Sequence, residues 1–321
     1  YSSSETSDQR CNGVRSKTKE KRTALFEKIK TYGSLSRVHA PVGTILLYCP
    51  CTWSILMAAY SIKVPIFSTV KVLTIFALGS FVMRSAGCVI NDLWDRKLDA
   101  KVRRSSNRPL ANGKVGVPEA LGLLGVQLST ALIILCSLNS YTVKLGVLSL
   151  LPVSLYPSFK RFTYYPQAFL GLTFSYGALM GWPALVGADA MFWPVVAPLY
   201  LSSVFWVIMY DTIYAHQDKL DDVHAGIYST ALKFGKRTKP VLFLLASIQY
   251  VFLSFAGMAN HQGPIFYLLG VCGSYISTLL MIFNVNLNSP KNCMHWFKQN
   301  SKMGYAITLA ITLDWIISFL K

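Results

Sequence analysis

The sequence predicts an all-α, polytopic membrane protein with about nine transmembrane helices around a central polar cavity. The first observation is composition: 53% of the 321 residues are hydrophobic, only 14% are charged, and the mean hydropathy is +0.41. Soluble globular chains carry about 25% charged residues. The second is a series of long apolar segments along the chain. The third is a strong asymmetry of lysine and arginine between those segments.

Nine apolar segments are long enough to cross a bilayer, because a transmembrane helix needs about 20 mostly apolar residues. Backbone groups in lipid must be hydrogen-bonded within a helix or a closed barrel, and these segments are too long and continuous for barrel strands. We therefore predict a helical bundle. The predicted spans are residues 42–60, 70–92, 118–138, 142–159, 165–187, 192–216, 239–257, 264–284 and 303–320.

Basic residues are concentrated on one of the two sides that this span count defines. That side carries 26 of the 31 lysines and arginines, the other side carries four, and Arg84 lies inside the second span. The positive-inside rule produces this distribution, so the net charge of +17 reports membrane topology. We therefore expect a lipid bilayer, and no nucleic acid, as a partner.

The chain divides into two parts. Residues 1–34 are polar and basic and are predicted to be disordered or peripheral, whereas residues 35–321 are predicted to form a single transmembrane domain. The chain begins at Tyr1 and its first methionine is Met57, so we expect a processed or truncated product. Seven scattered cysteines, without a CxxC pair or zinc-like spacing, predict neither disulfides nor structural zinc.

Acidic residues are scarce and clustered. Seven of the fourteen lie in residues 91–99 and 211–222, which end the second and sixth spans on the basic side. Carboxylates at the end of a membrane span are costly and commonly functional. We therefore predict two cation sites that face each other across one pocket.

The first acidic run is predicted to be helical. At about 100° per residue, Asp92, Asp95 and Asp99 share one face, and Asn91 lies beside them. Clustered carboxylates repel each other unless a cation neutralises them. Mg²⁺ takes one or two carboxylates together with substrate phosphates, whereas zinc prefers histidine and cysteine. The spacing therefore indicates Mg²⁺ held between the protein and a diphosphate.

The second acidic run, taken as one helix, is predicted to form a similar stripe. Asp211, Asp218 and Asp222 then fall within about 40° of each other, while Asp221 points to the side. We therefore expect Asp221 to matter less than Asp218 and Asp222. A basic loop follows each run, at residues 103–114 and 229–237. Because arginine and lysine bind phosphate oxygens, the pattern favours a diphosphate with Mg²⁺ over a free cation.

Two other interpretations of the acidic runs stay open. The carboxylates could form surface salt bridges with the neighbouring Arg96, Lys97, Lys101 and Lys219. They could also belong to a cation or proton-coupled transporter, since intramembrane acids build proton relays. Transporter acids, however, lie near the middle of broken spans, whereas these lie at span ends.

The two runs resemble the aspartate signatures of the UbiA-type membrane prenyltransferases. The residue pattern of the two signatures is most similar to that of the branch of the family that acts on 4-hydroxybenzoate in ubiquinone biosynthesis. Residues 50–54, 107–113, 156–161 and 166–171 also match, in order. The signatures read Asn91-Asp92-x-x-Asp95-x-x-x-Asp99 and Tyr210-Asp211-x-x-Tyr214-x-x-x-Asp218-x-x-Asp221-Asp222.

The resemblance implies an enzyme whose prenyltransferase domain is residues 35–321. A polyprenyl diphosphate would bind through Mg²⁺ to both clusters, its C1–O bond would ionise, and the allylic cation would attack 4-hydroxybenzoate ortho to the hydroxyl. The product would be 3-polyprenyl-4-hydroxybenzoate. Sibling reactions with homogentisate, a naphthoate or haem as acceptor stay open. The nine predicted spans argue against a soluble isoprenyl diphosphate synthase, which also uses aspartate-rich Mg²⁺ clusters.

The resemblance also suggests residue roles. The catalytic candidates are Asp95, Asp99, Asp218, Asp222 and Arg161. The metal candidates are Asn91, Asp92, Asp95, Asp99, Asp211, Asp218 and Asp222. The substrate-binding candidates are Arg37 for the benzoate carboxylate, Arg108 and Lys160 (with Arg161) for the diphosphate, Asn91, and Tyr156, Tyr210 and Tyr214 for the allylic cation. His216 and His224 flank the second run, and a role there as proton acceptor stays open.

Localisation is likewise an implication of the resemblance. It implies a multi-pass protein of the mitochondrial inner membrane, with the basic loops and the active site facing the matrix. Other ubiquinone-biosynthesis proteins are candidate partners.

Overall fold

The computed structural model describes residues 22–23 and 25–320, and within these ranges all regular secondary structure is helical. The predicted all-α class is confirmed. The helices are α1 (residues 25–35), α2 (Val42–Ser61), α3 (Ile66–Asp99), α4 (Val117–Leu135), α5 (Ser140–Leu148), α6 (Leu150–Phe159), α7 (Pro166–Phe174), α8 (Tyr176–Val186), α9 (Trp193–Ala215), α10 (Lys219–Ala225), α11 (Thr230–Phe234), α12 (Thr238–Ala259), α13 (Ser274–Asn284) and α14 (Pro290–Ser318), with a 3₁₀ turn at Gly235–Arg237 and a π-helix at Phe266–Gly273.

Eight spans in the described residues are long and apolar enough to cross a membrane. Four are single helices (α2, α3, α4 and α9), and the other four join consecutive segments: α5–α6, α7–α8, α11–α12, and the π-helix with α13. The predicted ninth span, residues 303–320, lies in α14 and is not among them. That helix carries Asp314 in its apolar half and three lysines in its first half. The predicted count of about nine is thus approximate.

α1 belongs to the region predicted to be disordered or peripheral, and its described residues are helical. Its first half is exposed, while Tyr32 and Leu35 pack against Val89 and Leu110 beside the end of α3. The rest of that prediction, residues 1–21 and 24, lies outside the described residues. The division of the chain at residue 34 stays a prediction.

The core of the bundle is centred on α2 and α9. Trp53 and Trp206 are fully buried with ring centroids 5.1 Å apart, and Trp53 Nε1 donates to Thr308 Oγ1 of α14 at 3.1 Å. α8 packs closely on α2 because small residues face it. A Cβ on Gly181 would lie 2.8 Å from Cys51 O, which is too close for any larger side chain. This rigid centre positions the ends of α3 and α9.

The second acidic run is not one helix, so the predicted stripe over residues 211–222 is wrong. α9 ends at Ala215, residues 216–218 form turns, and α10 starts at Lys219 with Asp218 as its N-cap residue. The Asp218 side chain does not cap this helix but pairs with Arg104 from the loop after α3. Tertiary pairing thus breaks the helix at a place where the sequence has neither glycine nor proline.

Candidate active site

A cavity of about 1050 Å³ lies between α2, α3, α4, α5–α6, α7–α8 and α9. It is polar at the end where the two acidic runs meet and apolar at the other end, so the predicted polar cavity is polar in part. The residues of the polar end are Arg37, Asn91, Asp92, Asp99, Arg104, Arg108, Lys160, Asp211, Asp218 and Asp222.

The carboxylates of the first run lie on one face of α3, as predicted. Asp92, Asp95 and Asp99 are 1%, 1% and 9% exposed, whereas Trp94 and Arg96 between them are exposed. A 34-residue helix with carboxylates three and four positions apart presents them together at its end. The long second span therefore carries three buried acids to the region of the polar end, where Asp92 and Asp99 line the cavity and Asp95 lies behind its wall.

Basic side chains neutralise this first cluster. Arg37 Nη2 donates to both oxygens of Asp92 at 2.9 Å. Arg108 Nη1 bridges Asp92 Oδ1 at 3.1 Å and Asp99 Oδ2 at 2.7 Å. Lys160 pairs with Asp95 Oδ2. Buried charges are costly unless they are paired in this way.

Arg37 reaches Asp92 from a strained turn. Its φ of +56° is in the left-handed region, where a side chain with a Cβ pays about 1–2 kcal/mol. Its Nη1 also donates to Ser34 O at 2.9 Å, which ties the guanidinium to the end of α1. Strained backbone of this kind persists only where surrounding contacts hold it, and it clusters at functional sites.

The second cluster is only partly neutralised. Arg104 Nε donates to Asp218 Oδ1 at 2.8 Å, and Arg103 Nε donates to Asp221 Oδ1 at 3.1 Å. Among the residues that the structure describes, Asp222 forms no ion pair, although it is buried and lines the cavity. Burial, together with the charge of Asp218, raises the pKa of Asp222 to about 7.

Asp211 also lines the cavity and also forms no ion pair within the described part of the chain. The salt-bridge interpretation required partners that the structure does not supply. Arg96, Lys97, Lys101 and Lys219 pair with none of the carboxylates of the two runs in residues 22–23 and 25–320. The pairs that form come mainly from basic residues of the cavity wall.

Three tyrosines line the polar end, as the sequence predicted. Lys160 Nζ lies 6.0 Å from the ring centroid of Tyr156, and the Arg104 guanidinium lies 5.1 Å from that of Tyr214. Tyr210 is buried, with its ring 5.7 Å from Phe297 of α14. Aromatic faces so placed stabilise cations.

Asp95 and Arg161 are the two predicted site residues that do not line the cavity; Asp95 is joined to the cavity wall through its ion pair with Lys160, whereas Arg161 is not. Its guanidinium donates to Trp94 O at 2.6 Å and lies 5.7 Å from the Trp94 ring centroid, outside the cavity wall. Its neighbour Lys160 points into the cavity instead. The contacts of Arg161 give no support to the catalytic role assigned to it from the sequence.

The two histidines beside the second run also lie outside the cavity wall. His216 Nε2 is hydrogen-bonded to Thr238 Oγ1 at 3.1 Å, and burial, with the charge of Lys219, lowers its pKa to about 4. His224 Nδ1 bonds to Leu220 O at 2.8 Å on the exposed side of α10. Neither side chain is placed to take a proton from a molecule in the cavity.

Sequence reasoning missed Arg84. It lies two turns before Asn91 on α3 and lines the cavity in the membrane-spanning part. Its Nε is buried without a hydrogen-bond partner, and its guanidinium lies 5.6 Å from the Phe174 ring centroid. It forms no ion pair within the described residues. An intramembrane charge of this kind marks a functional site.

Gly43 makes room for Arg84. A Cβ on Gly43 would lie 2.4 Å from Arg84 Nε and 2.9 Å from Arg84 Nη2. The guanidinium therefore rests directly against the backbone of α2. A lone arginine inside an apolar span was the sequence signal for this site, but the absence of an acidic partner shows only in three dimensions.

The donors present fit a hard divalent cation. Asn91 Oδ1 and Asp95 Oδ1 are buried without hydrogen-bond partners, and the nearby acidic groups offer oxygen alone. No group of three or more Asp, Glu, His or Cys converges closely enough to hold a metal within residues 22–23 and 25–320. The ion pairs explain this, because each paired carboxylate is drawn to an arginine or a lysine.

Comparison with protein families gives one assignment. Residues 47–305 match the profile described as the UbiA prenyltransferase family. A mitochondrial 4-hydroxybenzoate polyprenyltransferase of Schizosaccharomyces pombe is 60% identical, over 91% of this chain and 82% of the relative. Proteins with the same name from Saccharomyces cerevisiae and Homo sapiens are 46% and 43% identical, over 91% and 89% of this chain and 78% and 75% of their own lengths.

Solved structures share the fold. A UbiA homolog from Aeropyrum pernix matches with a TM-score of 0.65 at 23% identity, over 86% of this chain and 98% of that one. A UbiA homolog from Archaeoglobus fulgidus, solved with GPP and Mg²⁺, matches with a TM-score of 0.62 at 20% identity, over 88% and 99%.

Proposed function

The chain belongs to the UbiA prenyltransferase family, and on that premise we propose that it transfers a polyprenyl group from polyprenyl diphosphate to 4-hydroxybenzoate. The new bond forms at the ring carbon ortho to the hydroxyl, and the product is 3-polyprenyl-4-hydroxybenzoate, a ubiquinone precursor. The observation that carries the proposal is one cavity with two acidic clusters and their basic partners at one end and an apolar wall at the other. The names of the relatives supply the acceptor.

The donor diphosphate binds at the polar end. Mg²⁺ would be held there by Asn91, Asp92, Asp95 and Asp99 on one side and by Asp211, Asp218 and Asp222 on the other, and when bound it supplies Lewis acidity to the leaving diphosphate. Arg104, Arg108 and Lys160 line the same space, so they exchange their carboxylate partners for diphosphate oxygens. Arginine suits this because its planar fork matches phosphate oxygens.

Ionisation of the donor follows. The C1–O bond breaks, and both of its electrons leave with the diphosphate, whose new charge the three basic side chains neutralise. The allylic cation that remains is stabilised by the ring faces of Tyr156, Tyr210 and Tyr214. The three tyrosines are buried or half-buried, which limits the access of water that would otherwise capture the cation.

We assign the carboxylate of the acceptor to Arg84 rather than to Arg37. Arg37 already donates to both oxygens of Asp92, whereas Arg84 forms no ion pair in the described residues and its Nε is buried without a hydrogen-bond partner. A benzoate held by Arg84 directs its ring toward the tyrosines and the cation. The ring carbon forms the new C–C bond, and its proton passes to the released diphosphate, which carries the electron pair of the broken C1–O bond, so that aromaticity is restored.

Substitution of Gly43 by alanine tests the Arg84 assignment. The added Cβ displaces the guanidinium, so we expect KM for 4-hydroxybenzoate to rise about tenfold, the usual worth of a charge-assisted hydrogen bond, while KM for the donor stays unchanged. Steady-state kinetics with each substrate varied in turn measures both. Gly122→Ala on α4, where a Cβ meets nothing within 4 Å, is the control. A rise in donor KM alone would contradict the assignment.

Activity is expected to need more Mg²⁺ as the pH falls. The pKa of Asp222 is raised to about 7 by burial and by Asp218, so a proton competes for this carboxylate below about pH 7. The Mg²⁺ concentration that gives half-maximal activity should therefore increase between pH 8 and pH 6. Titration of activity with Mg²⁺ at both pH values, with donor and acceptor saturating, measures this. A concentration that does not change with pH would contradict the role of Asp222.

The names of the relatives, which include the word mitochondrial, support a mitochondrial location. We place the protein in the inner membrane with its basic loops and active site toward the matrix, because positively charged loops stay on the side from which a membrane protein inserts. Protease accessibility of the loop at residues 100–116 in mitoplasts tests the orientation. Cleavage of this loop by protease added outside the mitoplasts would show that the loop faces the intermembrane space, which contradicts the proposed orientation.

An acceptor panel tests the proposed function. Membranes that contain the chain are supplied with polyprenyl diphosphate, Mg²⁺ and one of 4-hydroxybenzoate, homogentisate or a naphthoate. We expect a prenylated product and released diphosphate with 4-hydroxybenzoate alone. Indifference to 4-hydroxybenzoate combined with turnover of another acceptor would overturn the choice of substrate. Ion flux in proteoliposomes without diphosphate release would instead indicate a transporter.

A further inference from the structure

One side of α1 carries apolar side chains that the described part of the chain leaves largely uncovered. Leu25, Phe26 and Ile29 are 60%, 65% and 60% exposed. At about 100° per residue, these three side chains, which we name the α1 row, span about 100° of the helix circumference. Tyr32 and Leu35 lie farther round the same helix and pack against the bundle. α1 therefore presents apolar side chains both to the bundle and to its surroundings.

α1 lies beside the lipid-facing surface of α4. At one end of the contact, Lys28 Nζ is 3.3 Å from Glu119 Oε1. At the other end, Gln127 Nε2 donates to Ser36 Oγ at 3.0 Å, so α1 runs alongside the first half of α4, a candidate span. Val126, within about 20° of Glu119 around α4, is 65% exposed. The α1 row thus lies next to a surface that lipid covers, at the basic side of the membrane.

Two lysines flank the α1 row. At about 100° per residue, Lys28 lies about 60° to one side of Leu25, and Lys30 lies about 40° beyond Phe26 on the other side. Lysine keeps its ammonium group in water while its methylene stem covers apolar surface. An apolar row between lysines is the pattern of a helix that lies in the plane of a membrane interface. The basic side of the protein, with 26 of the 31 lysines and arginines, attracts acidic headgroups to the same surface.

The end of α1 also builds the turn that carries Arg37. Ser36 N donates to Tyr32 O at 2.9 Å, and Arg37 Nη1 donates to Ser34 O at 2.9 Å. Arg37 Nη2 in turn donates to both oxygens of Asp92. The position of α1 is therefore transmitted through two short steps to the first acidic cluster.

We infer that α1 binds the surface of the lipid leaflet on the basic side, with the α1 row among the acyl chains and the flanking lysines at the headgroups of acidic phospholipids. This seating holds the last turn of α1, and with it the turn at Arg37. The continuity of the α1 row with the surface of α4, together with the lysines at its two borders, favours a lipid surface over a protein partner. The inference goes beyond prenyl transfer and does not depend on the identity of either substrate.

The test is amide hydrogen exchange of the full chain in lipid nanodiscs, measured by mass spectrometry. One nanodisc contains phosphatidylcholine alone, and the other contains phosphatidylcholine mixed with phosphatidylglycerol, an acidic phospholipid. We expect the amides of residues 27–35 to exchange at least about fivefold more slowly with the acidic lipid, because one lysine near an acidic surface contributes about that factor. The amides of residues 36–40 should slow with them, because their turn rests on α1.

Two variants separate the charged and the apolar contributions. Lys30→Glu should remove most of the difference between the two lipids, because it places a negative charge beside the headgroups. Phe26→Ser should speed the exchange of α1 about tenfold in both lipids, because an aromatic side chain no longer enters the acyl region. The amides of α9 should exchange as in the unaltered chain, which shows that each variant is folded.

The matched controls lie at the start of α3, on the side of the membrane that is poor in basic residues. Lys71 is exposed and Phe67 is 83% exposed, so Lys71→Glu and Phe67→Ser make the same changes at the opposite face. Both should leave the exchange of α1 unchanged. Equal exchange of α1 in the two lipids, or a full lipid difference in Lys30→Glu, would overturn the inference. Equal protection of α1 in detergent without phospholipid would also overturn it, because another part of the chain or a second copy would then cover the α1 row.

Discussion

Substitution of Asp222 by asparagine is expected to lower prenyl transfer by about 10²–10³-fold without reducing thermal stability. Asp222 is buried in the cavity wall and forms no ion pair in the part of the chain that the structure describes, so the change leaves no basic group unpaired. The activity falls because one of the two sides that hold the metal and the diphosphate loses a charged oxygen ligand. Rates of product formation in nanodiscs measure this effect.

The stability of the same variant has a defined dependence on pH. Burial and the charge of Asp218 raise the pKa of Asp222 to about 7 in the folded protein, whereas the usual value is about 3.9. The ionised carboxylate therefore costs stability, and this cost appears as the pH rises above about 4 and is complete above about 7. In the absence of Mg²⁺, the melting temperature of Asp222→Asn should exceed that of the unaltered chain at pH 8 and equal it near pH 4.

Asp221→Asn is the matched control. Asp221 is the next residue on α10, but it pairs with Arg103, whose side chain is 84% exposed, and such surface pairs contribute little. We expect its activity to stay within about threefold of the unaltered chain. Near-normal activity of Asp222→Asn, or equal losses in the two variants, would contradict the assignment of Asp222.

Substitution of Lys160 by methionine is expected to remove both activity and much of the stability. Lys160 and Asp95 form a buried ion pair, with side chains 18% and 2% exposed. Without the lysine, Asp95 stays buried and unpaired, which costs about 3–5 kcal/mol. Activity is lost because the leaving diphosphate loses a charged partner at the point where the C1–O bond breaks.

A double variant separates these two effects. In Lys160→Met/Asp95→Asn the buried charge is removed together with its partner, so most of the stability should return. Activity should not return, because both groups belong to the donor site. Melting temperatures and rates of the unaltered chain, Lys160→Met, Asp95→Asn and the double variant form the cycle. A double variant as unstable as Lys160→Met would show that the pair is not coupled in the way described.

The spans were predictable from the sequence because their signal is local. Apolar length and the alternation of basic loops fix the eight confirmed spans, and three- and four-residue spacing fixes the shared face of Asp92, Asp95 and Asp99. α14 was harder to assign as a span, because Asp314 lowers its mean hydropathy. The structure accommodates this buried carboxylate through a hydrogen bond from Phe266 N.

Other features of the site depend on contacts that are distant in the chain. The break between α9 and α10 follows the pairing of Asp218 with Arg104, which no pattern within residues 211–222 encodes. The adjacent Lys160 and Arg161 look equivalent as loop charges, yet one lines the cavity and the other binds Trp94. The sequence shows Arg84 as a single charged residue within a span. Only the structure shows that it lines the cavity and that Gly43 lies directly against its guanidinium.

Binding of a non-reactive donor analogue tests the central claim most directly, namely that both clusters hold one diphosphate with Mg²⁺. A polyprenyl thiolodiphosphate is titrated into the unaltered chain, Asp92→Asn and Asp222→Asn, each with and without Mg²⁺. We predict tight binding to the unaltered chain only when Mg²⁺ is present, and a loss of affinity of at least about tenfold in each variant. Binding that is independent of Mg²⁺, or that is lost in one variant alone, would contradict a site shared by the two clusters.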